Sequence, residues 1–492
     1  MTGTSVGMRS TRVVATCLLL LACVCLSPTQ LESGSLQAQE RPNILFILTD
    51  DQDVGSVSEL PNVRSQLVER GTTFDRAYAT TPLCCPSRTS ILRGQYAHNH
   101  KVWDNKAPDG GFERFQRLDL EASTVARWLD EAGYHTGYIG KYLNEYGSYE
   151  EPTTHVPPGW DRWIGYEGGP QEQHAREAFK VNDQGNVARI DAVPGYDTDY
   201  FARRAEAYVE NRKAGNPWFL VVATNAAHTP ADATARNDDS YLGRQMPKTP
   251  AFNEADLSDK ATIWRDNSKL PEKCPQDGAN RSDEKLRCVP EANKLWRDRM
   301  ESLRDVDDMV GGLLAALREK GFAKNTYVVF ASDNGFALYQ NRIFSKGAPY
   351  EPSQRIPLII KGPGVPDGRV DHRLVANIDL APTFAQWAGA RAPNFVDGRS
   401  LVPVLSNPET PWRTRLLFEN RLGDHDFHVL RTEADQVYIE YPLTGETEYY
   451  DLTEDPYQLH GQAERQPPGL NEQLRDLVRC AGASCRVADG GP

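Results

Sequence analysis

Five short apolar runs, each followed directly by polar or glycine residues, constrain the fold of this chain more than any other feature. They are NILFIL at 43–48, TGYI at 136–139, WFLVVA at 218–223, TYVVFA at 326–331 and IPLII at 356–360. Runs of this length that are rich in β-branched residues and lack alternation are typical of strands buried on both faces of a sheet. Helical patterns lie between them, at 123–133 and 298–321. Such alternation predicts an α/β fold with a mainly parallel central sheet flanked by helices.

Polar side chains follow the carboxyl ends of four of these runs. They are Asp50, Asp51, Lys141, His228, Asp333 and Asn334. Because ligands bind beyond the carboxyl ends of strands in open α/β sheets, we expect these side chains to converge on one site. The Asp and Asn side chains offer hard oxygen ligands, which suit Ca²⁺, or less well Mg²⁺, and not Zn²⁺. Each motif alone also fits a helix cap or a turn, but their shared position favours a metal site.

The sequence pattern changes after about residue 395. FHVLRT at 427–432, QVYIEY at 436–441 and TEYYDL at 447–452 are spaced like antiparallel strands, and a helical pattern follows at 471–480. We therefore predict a catalytic domain at 41–395 and a smaller α+β domain with an antiparallel sheet at 396–492.

The N-terminal run VVATCLLLLACVCL at 13–26 follows Arg9 and Arg12 and is too short to span a bilayer comfortably. It is typical of a secretory signal peptide, with a retained membrane anchor as the alternative, so we assign residues 1–40 to a signal peptide and leader. LLAC at 20–23 also resembles a lipoprotein cleavage box with Cys23 as the lipidated residue. These features predict a secreted, periplasmic or cell-surface protein that contacts a membrane only if Cys23 is lipidated. A formal net charge of −13 without basic runs argues against nucleic acid as a partner.

The cysteines outside the leader divide into three pairs. The leader contains three of the nine cysteines, and disulfides are expected among the remaining six in an exported chain. Short-loop disulfides fit the pairs Cys480–Cys485 and Cys274–Cys288. Cys84 and Cys85 are sequence neighbours, and a disulfide between neighbours is strained. Either both thiols are buried and inert, or one of them has another use.

The residues after this last pair favour the second possibility. Pro86 suits the first position of a helix, which places Cys84 just ahead of a helix N-terminus. That position binds anions and depresses the pKa of a thiol, which makes the thiol reactive. Arg88, one turn into the helix, adds a fixed positive charge. A nucleophile, a hard cation and an anion pocket together indicate transfer of a tetrahedral anionic group such as sulfate or phosphate.

These motifs carry a family resemblance. CCPSRTSILRG at 84–94 resembles the C-x-P-S-R-x-x-x-L-x-G signature of type I sulfatases. The match includes TDDQ at 49–52, GK at 140–141, SDNG at 332–335, KGAPYEPSQRIPL at 346–358 and YYDLTEDPYQLHG at 449–461, and so covers essentially the whole mature chain. Within the family the chain is most similar to N-acetylglucosamine-6-sulfatases. The segments that carry this similarity are CCPSR, YAHNHKVWDN, GKYLNEYG and RCAGASCR. The resemblance implies an alkaline-phosphatase-like fold.

The resemblance also implies a use for Cys84. This residue would be oxidised to formylglycine, an aldehyde, by a formylglycine-generating enzyme that reads Pro86 and Arg88 while the segment is unfolded. Cys85 would be an ordinary small buried residue or a spare thiol. One hydroxyl of the hydrated aldehyde, bound to Ca²⁺ and deprotonated, would attack sulfur and expel the alcohol. The other hydroxyl would then expel sulfate and restore the aldehyde.

The remaining roles implied by the resemblance belong to single residues. The metal ligands would be Asp50, Asp51, Asp333, Asn334 and the modified Cys84. Arg88 would neutralise charge near the metal, and Lys141 and Lys346 would hold sulfate oxygens. His228 would contact sulfate and protonate the leaving oxygen, with Lys346 a rival for that step.

One position departs from the family pattern. Many sulfatases read G-K-W-H-L-G, and the place of that histidine is taken here by Leu143. The base that helps to release sulfate is therefore absent, or Asn144, His98 or His100 replaces it. The glucosamine-6-sulfatases share this change, which makes it a trait of the subgroup.

The resemblance implies a sulfated carbohydrate as the substrate, namely a 6-O-sulfated N-acetylglucosamine in a glycosaminoglycan-type glycan. Aryl sulfates and other sulfated polysaccharides remain alternatives. A phosphonate or phosphate ester hydrolase could use the same metal and nucleophile. An exported binding protein that keeps an unmodified Cys84 is the non-enzymatic alternative.

Overall fold

The structure is a computed structural model and describes residues 41–148, 151–168, 178–191, 197–265, 270, 288–423 and 425–491. The predicted signal peptide and leader, Cys23 and Cys274 lie outside these ranges. The described residues belong to one compact unit, Glu40–Pro492, and the division at 395/396 stays a prediction. Within the described ranges, no helix is long and apolar enough to cross a membrane.

The strands and helices of the described residues follow in chain order. The strands are β1 Asn43–Thr49, β2 Thr72–Phe74, β3 Ala77–Tyr78, β4 His135–Gly140, β5 Arg162–Glu167, β6 Ala178–Asp183, β7 Asn186–Asp191, β8 Trp218–Ala223, β9 Thr326–Ser332, β10 Ala337–Leu338, β11 Phe344–Ser345, β12 Leu358–Lys361, β13 Arg369–Asp371, β14 Val375–Ala376, β15 Arg415–Leu422, β16 His425–Thr432, β17 Gln436–Glu440 and β18 Thr447–Asp451. The α-helices are α1 Pro61–Val63, α2 Cys84–Arg93, α3 Ala97–His100, α4 Gly111–Arg117, α5 Val125–Glu131, α6 Asp197–Glu210, α7 Thr262–Arg265, α8 Val289–Glu319, α9 Glu351–Gln354, α10 Leu380–Ala388, α11 Val402–Ser406, α12 Leu470–Arg479 and α13 Ala483–Ala488.

The large sheet, as far as the described residues define it, has ten strands in the order β13-β2-β12-β9-β1-β8-β4-β5-β6-β7. Its central strands β9, β1, β8, β4 and β5 are all parallel, and antiparallel pairs lie on both sides of them. The expected α/β fold with a mainly parallel central sheet is confirmed. Because β1, β4, β8 and β9 run in one direction, the polar residues that follow them meet at one edge of the sheet.

The fifth apolar run differs from the other four in direction. It forms β12, which pairs antiparallel with β9, with Leu358 opposite Ala331. A uniform apolar run does not encode strand direction, so the sequence could not show this. Lys361 at the end of β12 therefore lies at the edge of the sheet opposite to the ends of β1 and β9.

Apolar layers cover both faces of the sheet. In β1, Phe46 belongs to the layer that includes residues of α2, α5 and α10, whereas Leu45 and Ile47 belong to the layer that includes α6 and α8. This two-sided burial explains why the strands lack hydrophobic alternation. The helix predicted at 298–321 is α8, which begins earlier, at Val289, with proline in its first turn.

The C-terminal region contains a four-stranded antiparallel sheet in the order β15-β16-β17-β18, with its own apolar core that includes α12. The antiparallel arrangement expected from the last three apolar segments is present, and β15 was not predicted. A disulfide joins Cys480 to Cys485, with a Cα–Cα distance of 4.8 Å. Cys288 is also disulfide-bonded, but the predicted pairing with Cys274 falls outside the described residues.

Candidate active site

The loop after β1 is held by backbone hydrogen bonds that extend the sheet beyond its strands. The N–H of Asp50 donates to the carbonyl of Ala226 (3.0 Å), and the N–H of Ala227 donates to the carbonyl of Asp50 (2.8 Å). On the other side, the N–H of Asp333 donates to the carbonyl of Thr49 (3.1 Å). The loops after β1, β8 and β9 are therefore fixed against one another.

The oxygen-bearing side chains of these loops form one buried cluster. Single donor atoms of Asp50, Asp51, Cys84 and Asp333 all lie within 4.8 Å of one another. Asn334 joins the cluster, since its Nδ2 donates to Asp51 Oδ1 at 2.7 Å. Asn334 Oδ1 is buried and has no hydrogen-bond partner, which leaves it free to act as a ligand. The structure thus brings together all five predicted metal ligands.

Helix α2 presents Cys84 to this cluster but differs from the prediction in two respects. The helix begins at Cys84 itself, so Pro86 is its third residue and not its first. Cys84 Sγ lies 3.3 Å from Asp50 Oδ1. Burial and the Asp50 charge raise the pKa of the Cys84 thiol well above its ordinary value, so the expected depression of this pKa is wrong. Burial and adjacent carboxylates outweigh the helix dipole here.

Arg88 ties the helix to the carboxylates. Its Nε donates to Asp333 Oδ2 at 2.8 Å, and its Nη2 lies 3.5 Å from Asp50 Oδ2. Its Nη1 donates to the carbonyl of Lys141 at 2.6 Å. Although burial acts to lower the pKa of Arg88, the charges of Asp333 and Asp50 raise it overall. Arg88 is therefore a fixed cation within the cluster.

Two lysines complete the charge balance. Lys141 Nζ hydrogen-bonds to Asp50, and Lys346 Nζ hydrogen-bonds to Asp51 and lies 2.8 Å from Cys84 Sγ. Burial alone would lower the pKa of each lysine, but the neighbouring carboxylates raise both pKa values. Three cations, including Arg88, thus face three carboxylates.

His228 lies at the side of the cluster with a defined orientation. Its Nδ1 is 2.7 Å from the carbonyl of Thr229, which can only accept, so Nδ1 carries a proton. Its Nε2 is 3.7 Å from Asp51 Oδ2. Burial and the nearby Lys346 charge lower the pKa of His228 to about 4, so the ring is neutral at neutral pH. The free Nε2 is then the ring atom that faces the cluster.

The donor set fits a hard divalent cation. It consists of buried carboxylates and an amide oxygen without a partner, and these are ligands that Ca²⁺ and Mg²⁺ prefer. A divalent ion would add two positive charges to a balanced set of groups, which suits a site for an anionic substrate.

The sequence did not predict several residues that support this cluster through hydrogen bonds. Ser87 Oγ hydrogen-bonds to the carbonyl of Asp333, and Asn377 Nδ2 donates to Ser87 Oγ at 2.9 Å. Arg299, from α8, donates to backbone carbonyls of the loops after β1 and β8. The only sequence signal for Arg299 is a charged residue at a position where α8 is otherwise apolar.

The candidates for the missing histidine occupy different surroundings. Leu143 is buried. His98 contacts Glu419 and the carbonyl of Cys480, and His100 Nε2 lies 3.0 Å from Ser90 Oγ. Asn144 Oδ1 is buried without a hydrogen-bond partner. Both histidines thus form hydrogen bonds with other residues, whereas the side-chain oxygen of Asn144 is available to accept one.

Comparison with known families agrees with this arrangement. A family model described as Sulfatase matches residues 42–390. The chain belongs to the sulfatase family. A second model, described as the C-terminal region of N-sulphoglucosamine sulphohydrolase, matches residues 340–478 of the chain. The resemblance to type I sulfatases is confirmed.

Curated relatives of this chain fall into two groups by coverage. An extracellular sulfatase SULF-1 homolog of Drosophila melanogaster is 35% identical over 374 residues, which are 75% of this chain and 31% of the relative. The chain thus spans about a third of that relative's length. The N-acetylglucosamine-6-sulfatase of Capra hircus is 28% identical over 499 residues, with 92% of this chain and 86% of the relative covered. The expected similarity to that subgroup is confirmed.

A solved structure of a similar protein extends the comparison. It superposes with a TM-score of 0.74 at 25% identity and covers 92% of this chain and 98% of its own. That protein was solved in complex with its substrate, D-glucosamine-2-N,6-O-disulfate.

Proposed function

We propose that this protein is a sulfuric ester hydrolase that removes the 6-O-sulfate of N-acetylglucosamine in glycosaminoglycan-type glycans. The observation that carries the proposal is the position of Cys84 Sγ, which lies 2.8 Å from Lys346 Nζ and 3.3 Å from Asp50 Oδ1 in a buried cluster. The substrate class is supported by the N-acetylglucosamine-6-sulfatase relative and by the structural neighbour, whose substrate carries a 6-O-sulfate on glucosamine.

Two groups would complete the site. A Ca²⁺ ion, or less well Mg²⁺, held by Asp50, Asp51, Asp333 and Asn334, would polarise the reacting oxygens, and formylglycine derived from Cys84 would supply the nucleophile. Arg88 contacts two of the four ligands and would keep their carboxylates in place. This set of roles is the one that the resemblance implied.

Lys141 and Lys346 would bind the sulfate group. Their ammonium groups contact Asp50 and Asp51, respectively, the two carboxylates that Cys84 Sγ also contacts. With a metal ion bound to these carboxylates, both ammonium groups would be free to contact the sulfate oxygens. Donors placed in a buried site in this way stabilise the charge that develops in the transition state.

His228 would protonate the oxygen of the leaving alcohol. The hydrogen bond from Nδ1 to the Thr229 carbonyl fixes the ring, so Nε2, which carries no proton in the neutral ring, would first take up a proton and then give it to the leaving oxygen. Lys346 is the rival for this step because its ammonium group lies 2.8 Å from Cys84 Sγ.

We also propose that the protein is exported, as its disulfide between Cys480 and Cys485 and the extracellular sulfatase relative suggest. Membrane attachment would require lipidation at Cys23. The formylglycine-generating enzyme would act before folding, since Cys84 is fully buried in the folded chain.

The test combines mass spectrometry with a substrate panel on protein from its native host. The peptide that contains Cys84 should have lost sulfur and gained an aldehyde oxygen. The protein should hydrolyse N-acetylglucosamine 6-sulfate faster than an aryl sulfate, and much faster than phosphate and phosphonate esters of one matched alcohol. A free thiol at Cys84 together with no turnover would favour the binding-protein alternative, and preference for phosphorus esters would favour a phosphonate or phosphate ester hydrolase.

A further inference from the structure

Arg299 is a fully buried arginine that the proposed function does not use. It lies in α8, and its relative exposure is 0%. Arginine is almost never buried completely unless its guanidinium is engaged. Its contacts therefore indicate what the residue does.

The guanidinium of Arg299 contacts three of the loops that build the candidate active site, those after β1, β8 and β9. Its Nη1 donates to the carbonyl of Ala227 at 2.8 Å, in the loop after β8. Its Nη2 donates to the carbonyl of Asp51, in the loop after β1. Its central carbon lies 3.9 Å from the ring centroid of Phe336, in the loop after β9. Its closest carboxylate, Asp53, is 3.8 Å away, so carbonyls and not a carboxylate are its main partners.

The two carbonyls lie where the backbone pairing of β1 and β8 stops. The last bond of that series is donated by the N–H of Ala227 to Asp50. Beyond it, the carbonyls of Asp51 and Ala227 are buried and need donors from elsewhere. The planar fork of an arginine supplies two parallel donors at once, which a lysine cannot do.

The backbone conformation of Asp51 depends on the hydrogen bond that Arg299 donates to its carbonyl. Asp51 has a φ of +61°, in the left-handed region that costs a non-glycine residue about 1 kcal/mol or more. This conformation turns the Asp51 carbonyl to Arg299 and its carboxylate to the cluster. The hydrogen bond from Arg299 stabilises the conformation that aims the carboxylate.

We propose that Arg299 is a positioning residue that sets Asp51, a candidate metal ligand, and His228, the residue after Ala227, at their working separation. The inference rests on the proposed function of the cluster and deepens it. Arg299 does not touch the reacting atoms. It acts through the two carbonyls, and Phe336 fixes the plane of its guanidinium by a cation–π contact.

The test compares Arg299→Lys and Arg299→Met with a control in the same helix, Arg304→Met. Arg304 is a suitable control because, among the residues that the structure describes, its guanidinium contacts the Glu59 carbonyl (3.4 Å) and Asp307 (3.7 Å) but neither of the two loops. Calorimetry on the purified, metal-stripped protein gives the Ca²⁺ affinity. Hydrogen–deuterium exchange of the metal-free protein, read in peptides that cover 49–54 and 224–229, reports the two loops directly.

We expect Arg299→Met to weaken Ca²⁺ binding by roughly 10- to 100-fold, as is usual when a group that orients a metal ligand is removed. It should lower kcat more than it raises KM and should speed exchange in both loop peptides but not in β15–β18. Arg299→Lys should recover only part of each effect, and Arg304→Met should change none of them. If Arg299→Met does not fold, Arg299→Lys carries the test, because it keeps the charge and the aliphatic stem.

Two results would overturn the inference. One is unchanged exchange in both loop peptides with unchanged Ca²⁺ affinity in the Arg299 variants. The other is an equal loss in Arg304→Met, which would assign the effect to helix stability. If the wild-type protein binds no Ca²⁺ and has no sulfatase activity, the proposed function fails, and loop exchange alone still decides whether Arg299 positions the loops.

Discussion

Replacing Lys346 with methionine should strengthen metal binding and at the same time reduce catalysis. In the structure the Lys346 ammonium contacts Asp51 and lies 2.8 Å from Cys84 Sγ, so it occupies the space beside a candidate metal ligand. Methionine keeps most of the side-chain volume and removes the charge. A divalent ion would then meet one positive charge fewer, but the sulfate group would lose one of its two lysine donors.

The size of the metal effect follows from Coulomb's law for a separation of about 5 Å. An ammonium about 5 Å from a divalent ion repels it by roughly 7 kcal/mol at an effective dielectric constant of about 20. The flexible stem of Lys346 lets the ammonium withdraw when the ion binds, so most of this repulsion is relieved. If a fifth to two-fifths of it remains, about 1.4–2.8 kcal/mol, then Lys346→Met should bind Ca²⁺ some ten- to a hundredfold more tightly.

The assay is a calorimetric Ca²⁺ titration of both proteins, paired with kcat/KM on N-acetylglucosamine 6-sulfate. We expect kcat/KM to fall by roughly a hundredfold or more, because a donor to the transition state is lost. Lys361→Met is the matched control, since Lys361 is half-buried at the opposite edge of the sheet and donates to the Gln66 carbonyl at 3.1 Å. Weaker Ca²⁺ binding in Lys346→Met would refute the reasoning, because Lys346 would then support the metal and not compete with it.

Three further predictions concern other parts of the chain. Glu419 raises the pKa of His98 to about 9 against the opposing effect of burial. Because the folded-state pKa lies above the unfolded value, the ion pair stabilises the fold fully below about pH 6.5 and loses this effect as the pH rises to 9. The melting temperature should therefore fall more over that pH range in the wild type than in His98→Asn. Cys84→Ala should abolish turnover, whereas Cys85→Ala should keep it and cost about 1 kcal/mol of stability, as chemical denaturation and the substrate assay will show. Arg413→Met should lower the free energy of unfolding by about 3–5 kcal/mol without changing KM, because it leaves the buried Asp379 without its cation.

The parts of the site that the sequence predicted correctly depend on local signals. A buried parallel strand is visible as a continuous apolar run, and the first polar residue after it lies at the sheet edge. The sequence alone therefore places Asp50, Asp333 and Lys141 near one another. The antiparallel strands of the C-terminal region could also be predicted from local signals. Segments with strand composition, which became β17 and β18, are separated by turn residues.

The parts that the sequence did not predict depend on contacts between distant segments. The antiparallel direction of β12 follows from its pairing with β9 and not from its own residues. Strand β15 was missed because it carries the polar Glu419 and Asn420, which are buried by contacts to other elements. The pKa of Cys84 depends on Asp50, which lies 34 positions earlier in the chain. The helix dipole, which is a local property, predicted the opposite direction.

The complete burial of α2 has a consequence for how active protein is made. All ten residues of the helix, from Cys84 to Arg93, are buried. If Cys84 is converted to formylglycine as proposed, no enzyme can reach it once this helix has docked, so a molecule that folds before modification would stay inactive for as long as it stays folded. The active fraction of a preparation would then reflect a competition between two rates, folding and modification. Slower folding during export, for instance at lower temperature, should raise the specific activity of the product even though every folded molecule has the same sequence.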